Sequence, residues 1–437
     1  MSREIQGHHD KATLTETGIS QAEKVGDMLG GLPLDAVYSS PLQRAYRTCE
    51  VVLSTMQKAG ASTPDPIATD QLKEINLPLW ESKTFDAVEA EYPNEYKAWR
   101  HTPNEFKLVL SNDDGTSADF YPVREIWERA EKLWKEILDK HAGQTVLLVG
   151  HSAINRALIG SAIGLGPEHL NSMGQSNCAI NVLNFVGGFE AGAQLESLNI
   201  TSHLGDALPE RRSRFKGPRL LLVRHGETNW NRDGRFQGQI DIPLNDNGHR
   251  QAAQAGEFLK DVRIDAAVSS SMKRPAETAA GILKHHPGVA LQATEHLWEI
   301  SHGEWEGMLE TEIESGYPGM LGEWQSKPET VQMPGGENLN DVWARAKQGW
   351  GEVVAAYSNT TEPVTVMVVA HDAINKAILC QVFGLGPEKF WQFKQGNGAV
   401  SVIDYHGGPD SLPVLSAANI TTHLSGSIFD RTAAGAL

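Results

Sequence analysis

The chain has 437 residues, of which 40% are hydrophobic, and its formal net charge is −17. That acidic balance speaks against a nucleic-acid binder or a basic membrane-surface protein, and no apolar run is long enough to span a bilayer. There is no apolar signal core at the N-terminus, and Cys49, Cys178 and Cys380 form no zinc spacing. A reducing, cytoplasmic setting with buried free thiols is the simplest expectation.

In chain order, short strands are expected at Asp35–Ser39, Pro66–Glu74 and Thr145–Val149. The polar stretch Gly205–Pro218, with Arg211, Arg212 and Arg214, reads as a solvated linker. After it, Leu220–Val223 is a short apolar run, hence a buried strand. Asn247–Lys260 has helical spacing, Asp265–Ser269 reads as a strand and Lys273–His285 as a helix. Val289–Glu299 reads as a strand and Glu337–Tyr357 as a long amphipathic helix. Val364–Ala370 is a further buried strand, and Ala373–Phe383 is a helix that stops at Gly384. Ala399–Tyr405 and Pro413–Ile420 close the series as strands. Strands that alternate with helices predict an α/β fold with a mostly parallel sheet covered on both faces.

The chain also repeats itself. Gln6-Gly7 pairs with Gln237-Gly238, and Ser39-Ser40 with Ser269-Ser270. Arg44 pairs with Arg274, Glu74 with Glu299, and His151 with His371. The offset drifts only from 231 to 220, too long a period for a solenoid. Two homologous domains are expected: 1–204, a linker at 205–218, 219–425, and a tail at 426–437. The two domains are expected to contact each other.

Residues 224–231 read Arg-His-Gly-Glu-Thr-Asn-Trp-Asn and have no partner in the first repeat. They follow a buried strand, so Arg224 and His225 stand at its mouth. Groups beyond the carboxyl ends of parallel strands converge on one crevice. Arg224, His225, Arg274, Glu299 and His371 would meet there. Arginine offers phosphate a rigid fork of donors, and a neutral imidazole can attack phosphorus. A nearby carboxyl can protonate the leaving oxygen.

These residues, with Gly238, Pro243-Leu244, Gly248, Gln251-Ala252 and Ser269-Ser270 in the same order, resemble the histidine phosphatase superfamily, the phosphoglycerate-mutase-like group. The resemblance covers about 219–425. It implies two tandem three-layer α/β/α domains, the first lacking its N-terminal central strand. It implies that His225 becomes phosphohistidine and that Glu299 is the proton donor. It implies that Arg224, Asn231, Arg274 and His371 hold the phosphoryl oxygens, with Gly238 and Asp372 also lining the substrate. No metal and no cofactor is implied. A local turn cap is the alternative reading of Asn231.

The sequence after the acid, Ile300-Ser301-His302-Gly303-Glu304-Trp305-Glu306-Gly307, resembles the phosphatase branch. The lid region Met308–Asn340 has few Arg or Lys. Hydrolysis of a small phosphorylated metabolite is therefore expected. A phosphoglycerate-type mutase and a non-catalytic phosphate-binding module are the alternatives. Tandem domains of this kind resemble two-domain phosphatases of cyanobacteria and chloroplasts, which implies 2-carboxy-D-arabinitol 1-phosphate or a related sugar phosphate as substrate. Phosphoserine, ribazole phosphate and fructose 2,6-bisphosphate stay open.

In the first repeat, Arg44, Glu74 and His151 stand where Arg274, Glu299 and His371 stand, but the partner of His225 would fall before Met1. Either Met1 is internal to a longer reading frame, or this domain lacks the strand. The joint retention of the three counterparts favours the longer frame.

Overall fold

The computed structural model describes residues 4–111, 114–213, 215–360, 362–407 and 412–433. Arg214 of the expected linker and the last four residues of the expected tail lie outside the described residues. The chain forms two compact units, Met1–Ala179 with Leu183–Ala193, and Ile180–Val182 with Gln194–Leu437. No helix among the described residues is long and apolar enough to cross a membrane.

In the first unit the strands are β1 (Ala36–Ser39), β2 (Ile67–Ala68), β3 (Leu108–Ser111), β4 (Ser117–Phe120) and β5 (Val146–Val149). A parallel sheet runs β2-β1-β5, and β3 and β4 form a separate antiparallel hairpin. The helix Glu16–Leu29 starts at Thr15, whose hydroxyl accepts from the Gly18 N–H. The helix Pro122–Lys140 starts on proline, which has no N–H to leave unpaired. Its tryptophans fix it to the helix Ser152–Ala162 and the loop after it: Trp127 Nε1 donates to Leu165 O and Trp134 Nε1 to Leu158 O. Among the described residues, β5 pairs on one side only, with β1.

In the second unit come β6 (Ile180–Phe185, entering through Ile180–Val182), β7 (Ala193–Ile200), β8 (Arg219–Arg224), β9 (Ala266–Ser270), β10 (Leu291–Thr294), β11 (Thr365–Ala370), β12 (Val400–Tyr405) and β13 (Pro413–Ile420). The sheet order is β10-β9-β11-β8-β12-β13-β7-β6. The first four strands are parallel, and β12 and β13 return antiparallel. Strand β8 lies between β11 and β12, so Leu220–Val223 are wholly buried. Leu221 and Val223 pack with Met367, Val369, Val400 and Val402 under Ala255, Leu259, Ala279 and Ile282. That burial explains the unbroken apolar run.

A buried ion pair ties β8 to β12. Arg219 Nε and Nη2 reach the two oxygens of Asp404 at 2.7 and 2.8 Å, and Ser416 Oγ donates to the same carboxylate at 2.6 Å. Strand β13 meets β7 through a reciprocal pair of asparagines. Asn199 donates its amide to Ser416 O at 2.7 Å and Asn419 donates to Glu196 O at 2.8 Å. Both sit at positive φ, 53° and 52°, a conformation asparagine tolerates.

Most expected elements stand within a few residues of their sequence-based bounds. Two strands are shorter. Val289–Glu299 pairs only over Leu291–Thr294, then tightens into a 3₁₀ turn at Glu295–Leu297 because the Thr294 hydroxyl caps the His296 N–H. The first repeat does the same: β2 ends at Ala68 and Thr69 caps the turn Asp70–Leu72. The solvated-linker expectation for 205–218 fails. Leu208 and Phe215 are buried and Arg219 donates to Pro209 O, so apolar anchors hold the segment on the second unit. The described part of the tail, 426–433, packs there through Ile428, which is buried, and Asp430, whose N–H donates to Glu196 Oε1. Cys49 and Cys380 are buried free thiols, whereas Cys178 is half-buried.

Candidate active site

The loop after β8 is fixed by its backbone. His225 N donates to Ala370 O, Gly226 N to the Thr278 hydroxyl and Glu227 N to Gln251 Oε1. Gly226 has no room for a side chain: a Cβ would lie 2.5 Å from Gly248 O. Gly248 is equally confined, 2.1 Å from Glu227 O. The two glycines let the start of helix Asp246–Leu259 touch the loop that carries His225.

His225 is buried, and its Nδ1 lies 2.7 Å from Gly226 O. A carbonyl only accepts, so Nδ1 carries the hydrogen and Nε2 keeps the lone pair. Arg274 Nε donates to that Nε2 at 3.2 Å. Burial, then Arg274 and Arg224, hold the imidazole well below its usual pKa, so it is neutral. Arg274 is itself fully buried. Its Nη2 donates to Gly238 O at 2.7 Å and its Nη1 to Ile240 O at 3.3 Å. Burial brings its pKa down to about 10, which still leaves it cationic at neutral pH.

The His371 ring stands 5.2 Å from the His225 ring, centroid to centroid. Ser270 Oγ accepts from Met272 N, so its own hydrogen is free to go to His371 Nε2, 2.9 Å away. In the tautomer that accepts from Ser270, Nδ1 of His371 bears the hydrogen. That Nδ1, Arg224 Nε and Gln237 Nε2 are buried donors with no partner among the described residues. Arg224 Nη1 meets Gln395 O and lies 3.3 Å from Asp372 Oδ1. Unsatisfied donors around a neutral imidazole suit an incoming oxyanion.

Glu299 is buried where the helix Asp372–Val382 begins. The N–H groups of Asp372, Ala373 and Ile374 donate to its carboxyl group at 3.0 to 3.4 Å. Burial and the neighbouring Asp372 push its pKa up; Arg274 and the backbone donors oppose this without reversing it. Asp372 also meets Lys376 at 2.6 Å, and the lysine lies over the rings of Phe390 and Trp391.

Asn231 Oδ1 accepts from Thr228 N and Oγ1, and Thr228 Oγ1 accepts from Asn231 N, which is a capping box for Asn229–Asp233. The cap reading thus describes its oxygen. Gly238 offers Arg274 its carbonyl, and a Cβ there would lie 2.2 Å from Glu306 Oε1. Sequence reasoning missed Thr278, Gln395, Lys376 and Asn397, whose Nδ2 donates to His225 O at 3.2 Å. A signal existed for two of them, since Gln175 and Asn177 recur at the spacing of Gln395 and Asn397.

The first unit repeats half of this arrangement. Arg44 Nη2 donates to Gly7 O at 2.8 Å and Nη1 to His9 O at 3.0 Å. His151 Nε2 lies 2.9 Å from Ser40 Oγ, and Ala153 N donates to Glu74 Oε1 at 3.0 Å. Burial lowers the His151 pKa to about 3. Among the described residues, no group of three or more His, Cys, Asp and Glu is arranged to hold a metal ion.

The family profile described as the histidine phosphatase superfamily (branch 1) matches residues 1–201 and 220–417. The chain is 30% identical over 431 residues to 2-carboxy-D-arabinitol-1-phosphatase of Triticum aestivum, covering 96% of this chain and 83% of that protein. It is 35% identical over 206 residues to phosphoserine phosphatase 1 of Hydrogenobacter thermophilus, 47% of this chain and 94% of that one. The solved structure of mycobacterial glucosyl-3-phosphoglycerate phosphatase shares 30% identity, covering 46% of this chain and 98% of that chain, with a TM-score of 0.43.

Proposed function

The chain belongs to the histidine phosphatase superfamily, branch 1, and from that premise we propose that it hydrolyses phosphomonoesters without a metal, through a phosphohistidine on His225. It is a phosphoric monoester hydrolase of phosphorylated metabolites. The observation that carries the finer reading is the locked tautomer of His225. Its Nδ1–H is held by Gly226 O, and Nε2 presents a lone pair beside Arg274.

The phosphoryl oxygens are received by Arg224, Arg274 and the Nδ1–H of His371, with Asn231 and Gln237 at the margin. The His225 Nε2 lone pair forms the N–P bond as the ester P–O bond breaks. The electron pair of that bond goes to the leaving oxygen, which takes the proton of Glu299. The Glu299 carboxylate then takes a proton from water as the water oxygen attacks phosphorus. The N–P electrons return to His225 and orthophosphate leaves. Donors fixed in place before charge develops need no rearrangement during reaction, which makes this kind of stabilisation large.

Hydrolysis is favoured over a mutase by the lid. Residues 308–340 hold one basic residue, Lys327, against six glutamates, a charge balance that disfavours retaining a bisphosphate. For the substrate, the relatives that align with nearly the whole chain are named for 2-carboxy-D-arabinitol 1-phosphate. That ester, or a related sugar phosphate, is the proposed substrate.

The test is phosphate release from a panel of phosphomonoesters, with and without EDTA, beside His225→Ala. Release that needs His225 and ignores EDTA supports the reading. Turnover by the variant would refute the nucleophile, and loss with EDTA would refute metal independence.

A further inference from the structure

The proton donor is held from two directions. Its carboxyl group is clamped by the helix that begins at Asp372, as described above. The backbone that aims it is clamped from the other side by Arg345, on the helix Leu339–Tyr357. Arg345 Nη1 donates to Trp298 O, and Nη2 donates to Glu299 O at 3.3 Å. The same Nη2 meets both oxygens of Glu337, at 3.0 and 2.8 Å. Glu337 in turn accepts from Ser301 N at 2.8 Å, and its own N–H donates to Ser301 O at 2.9 Å. Gln239 Nε2 joins the group, donating to Glu299 O at 3.1 Å and to Glu337 at 3.3 Å. One ion pair therefore holds the main chain just before and just after Glu299. Glu337 is also the residue that follows Gly335-Gly336, so the pair fastens the end of the lid to the acid's loop.

The first unit contains the same device. Arg129, on the matching helix Pro122–Lys140, donates to Lys73 O at 2.5 Å and to Glu74 O at 3.1 Å, with Glu125 as its carboxylate. An arginine grips the carbonyl of the glutamate in both repeats, although the carboxylate that supports it differs.

We propose that Arg345 is a positioning residue for proton transfer: it sets the line along which Glu299 reaches the leaving oxygen, without touching the phosphoryl group. The proposal rests on the reading of Glu299 as general acid. Two carbonyl contacts are made by a planar fork whose geometry a lysine or a neutral side chain does not reproduce. Misaiming the proton donor slows phosphoryl transfer to His225 only where the leaving group needs the proton; kcat/KM reads that step alone, whereas the water-activating step that follows is common to both esters. An alkoxide cannot leave unprotonated, whereas a dinitrophenolate can.

The experiment compares the full chain with Arg345→Met, Arg345→Lys and Glu299→Gln on two esters, glycerol 2-phosphate and 2,4-dinitrophenyl phosphate. General acid catalysis is worth about 10²–10⁴-fold, so Arg345→Met should lose about 10–100-fold in kcat/KM on the alkyl ester and under about threefold on the aryl ester. Competitive inhibition by orthophosphate should hold within about threefold, because Arg224, Arg274 and His371 stay in place. Arg345→Lys should recover part of the loss. Glu299→Gln should show the same split, only larger. Equal losses of Arg345→Met on both esters, or no loss on the alkyl ester, overturn the proposal. If Glu299→Gln shows no split, the general-acid reading falls and this inference falls with it. If Glu299→Gln splits and Arg345→Met does not, only this inference falls. Should Arg345→Met not fold, Glu337→Gln must show the split, and its absence overturns the proposal.

Discussion

Replacing Arg274 by methionine tests the site at its most connected point. The guanidinium does three things at once: Nε holds His225 Nε2 at 3.2 Å, and the two terminal nitrogens hold Gly238 O and Ile240 O. Removing a preorganised donor from a developing oxyanion costs about 10²–10³ in kcat, or about 2.7–4 kcal/mol of barrier. The cation beside His225 is also a cause of its lowered pKa, second to burial. Without it the imidazole binds a proton more readily, and the nucleophile is lost at a higher pH. The acid limb of the kcat/KM profile should therefore move up in pH, with turnover depressed throughout. Two buried carbonyls lose a donor, so stability should fall by about 1–3 kcal/mol, small enough for the protein to remain folded at room temperature. Arg274→Lys separates the effects: it keeps the charge and loses the fork, so kcat should fall while the acid limb stays nearer the wild-type position. The assay is phosphate release from a soluble phosphomonoester across the acid and neutral range, with folding checked by circular dichroism. An acid limb of Arg274→Met that stays put or moves down, or a kcat loss under about tenfold, would refute the arrangement around His225.

The buried pair Arg219–Asp404 should follow double-mutant logic. Arg219→Met or Asp404→Leu alone should cost about 3–5 kcal/mol in urea unfolding, and both together much less than the sum; singles under about 1 kcal/mol would refute it. His302 is wholly buried, neither ring nitrogen has a partner among the described residues, and burial lowers its pKa to about 3 from 6.5. The unfolded chain therefore takes up a proton below pH 6.5 that the folded chain refuses, and stability falls with pH at about 1.4 kcal/mol per unit from this group. His302→Leu should flatten the urea-derived stability profile between pH 6.5 and about 3 by that slope; an unchanged slope counts against it. In Gly248→Ala the new Cβ would collide with Glu227 O and shift the loop of His225, lowering kcat by about 100-fold. Wild-type turnover in that variant would show that the loop does not need the close approach.

Much of this site was legible because chemistry and geometry coincide in the sequence. Leu220–Val223 is apolar at every position, which only a strand buried on both faces requires, so Arg224 and His225 had to stand at its end. Internal pairing then marked Arg274, Glu299 and His371 without any second protein. Other contacts were not legible because backbone atoms make them. Arg345 binds main-chain oxygens, and no residue type marks a carbonyl as a partner. The strand expected over Val289–Glu299 ends at Thr294 for a related reason: the Thr294 hydroxyl caps the His296 N–H and turns the chain out of the ladder. The apparent linker misled in the opposite sense, since its arginines drew attention from the two apolar residues that anchor it.

Strand β7 ends the first sequence repeat yet lies in the sheet of the second unit, where Asn199 and Asn419 exchange hydrogen bonds. The boundary of duplication and the boundary of packing are thus different boundaries. A fragment cut at the repeat junction, after residue 204, would leave β13 with a bare ladder edge and Asn419 without its acceptor, an invitation to self-association. A gene that lost its first copy would lose with it the strand that covers the β13 edge of the second copy's sheet. The second repeat's sheet thus takes its neighbour for β13 from the end of the first repeat.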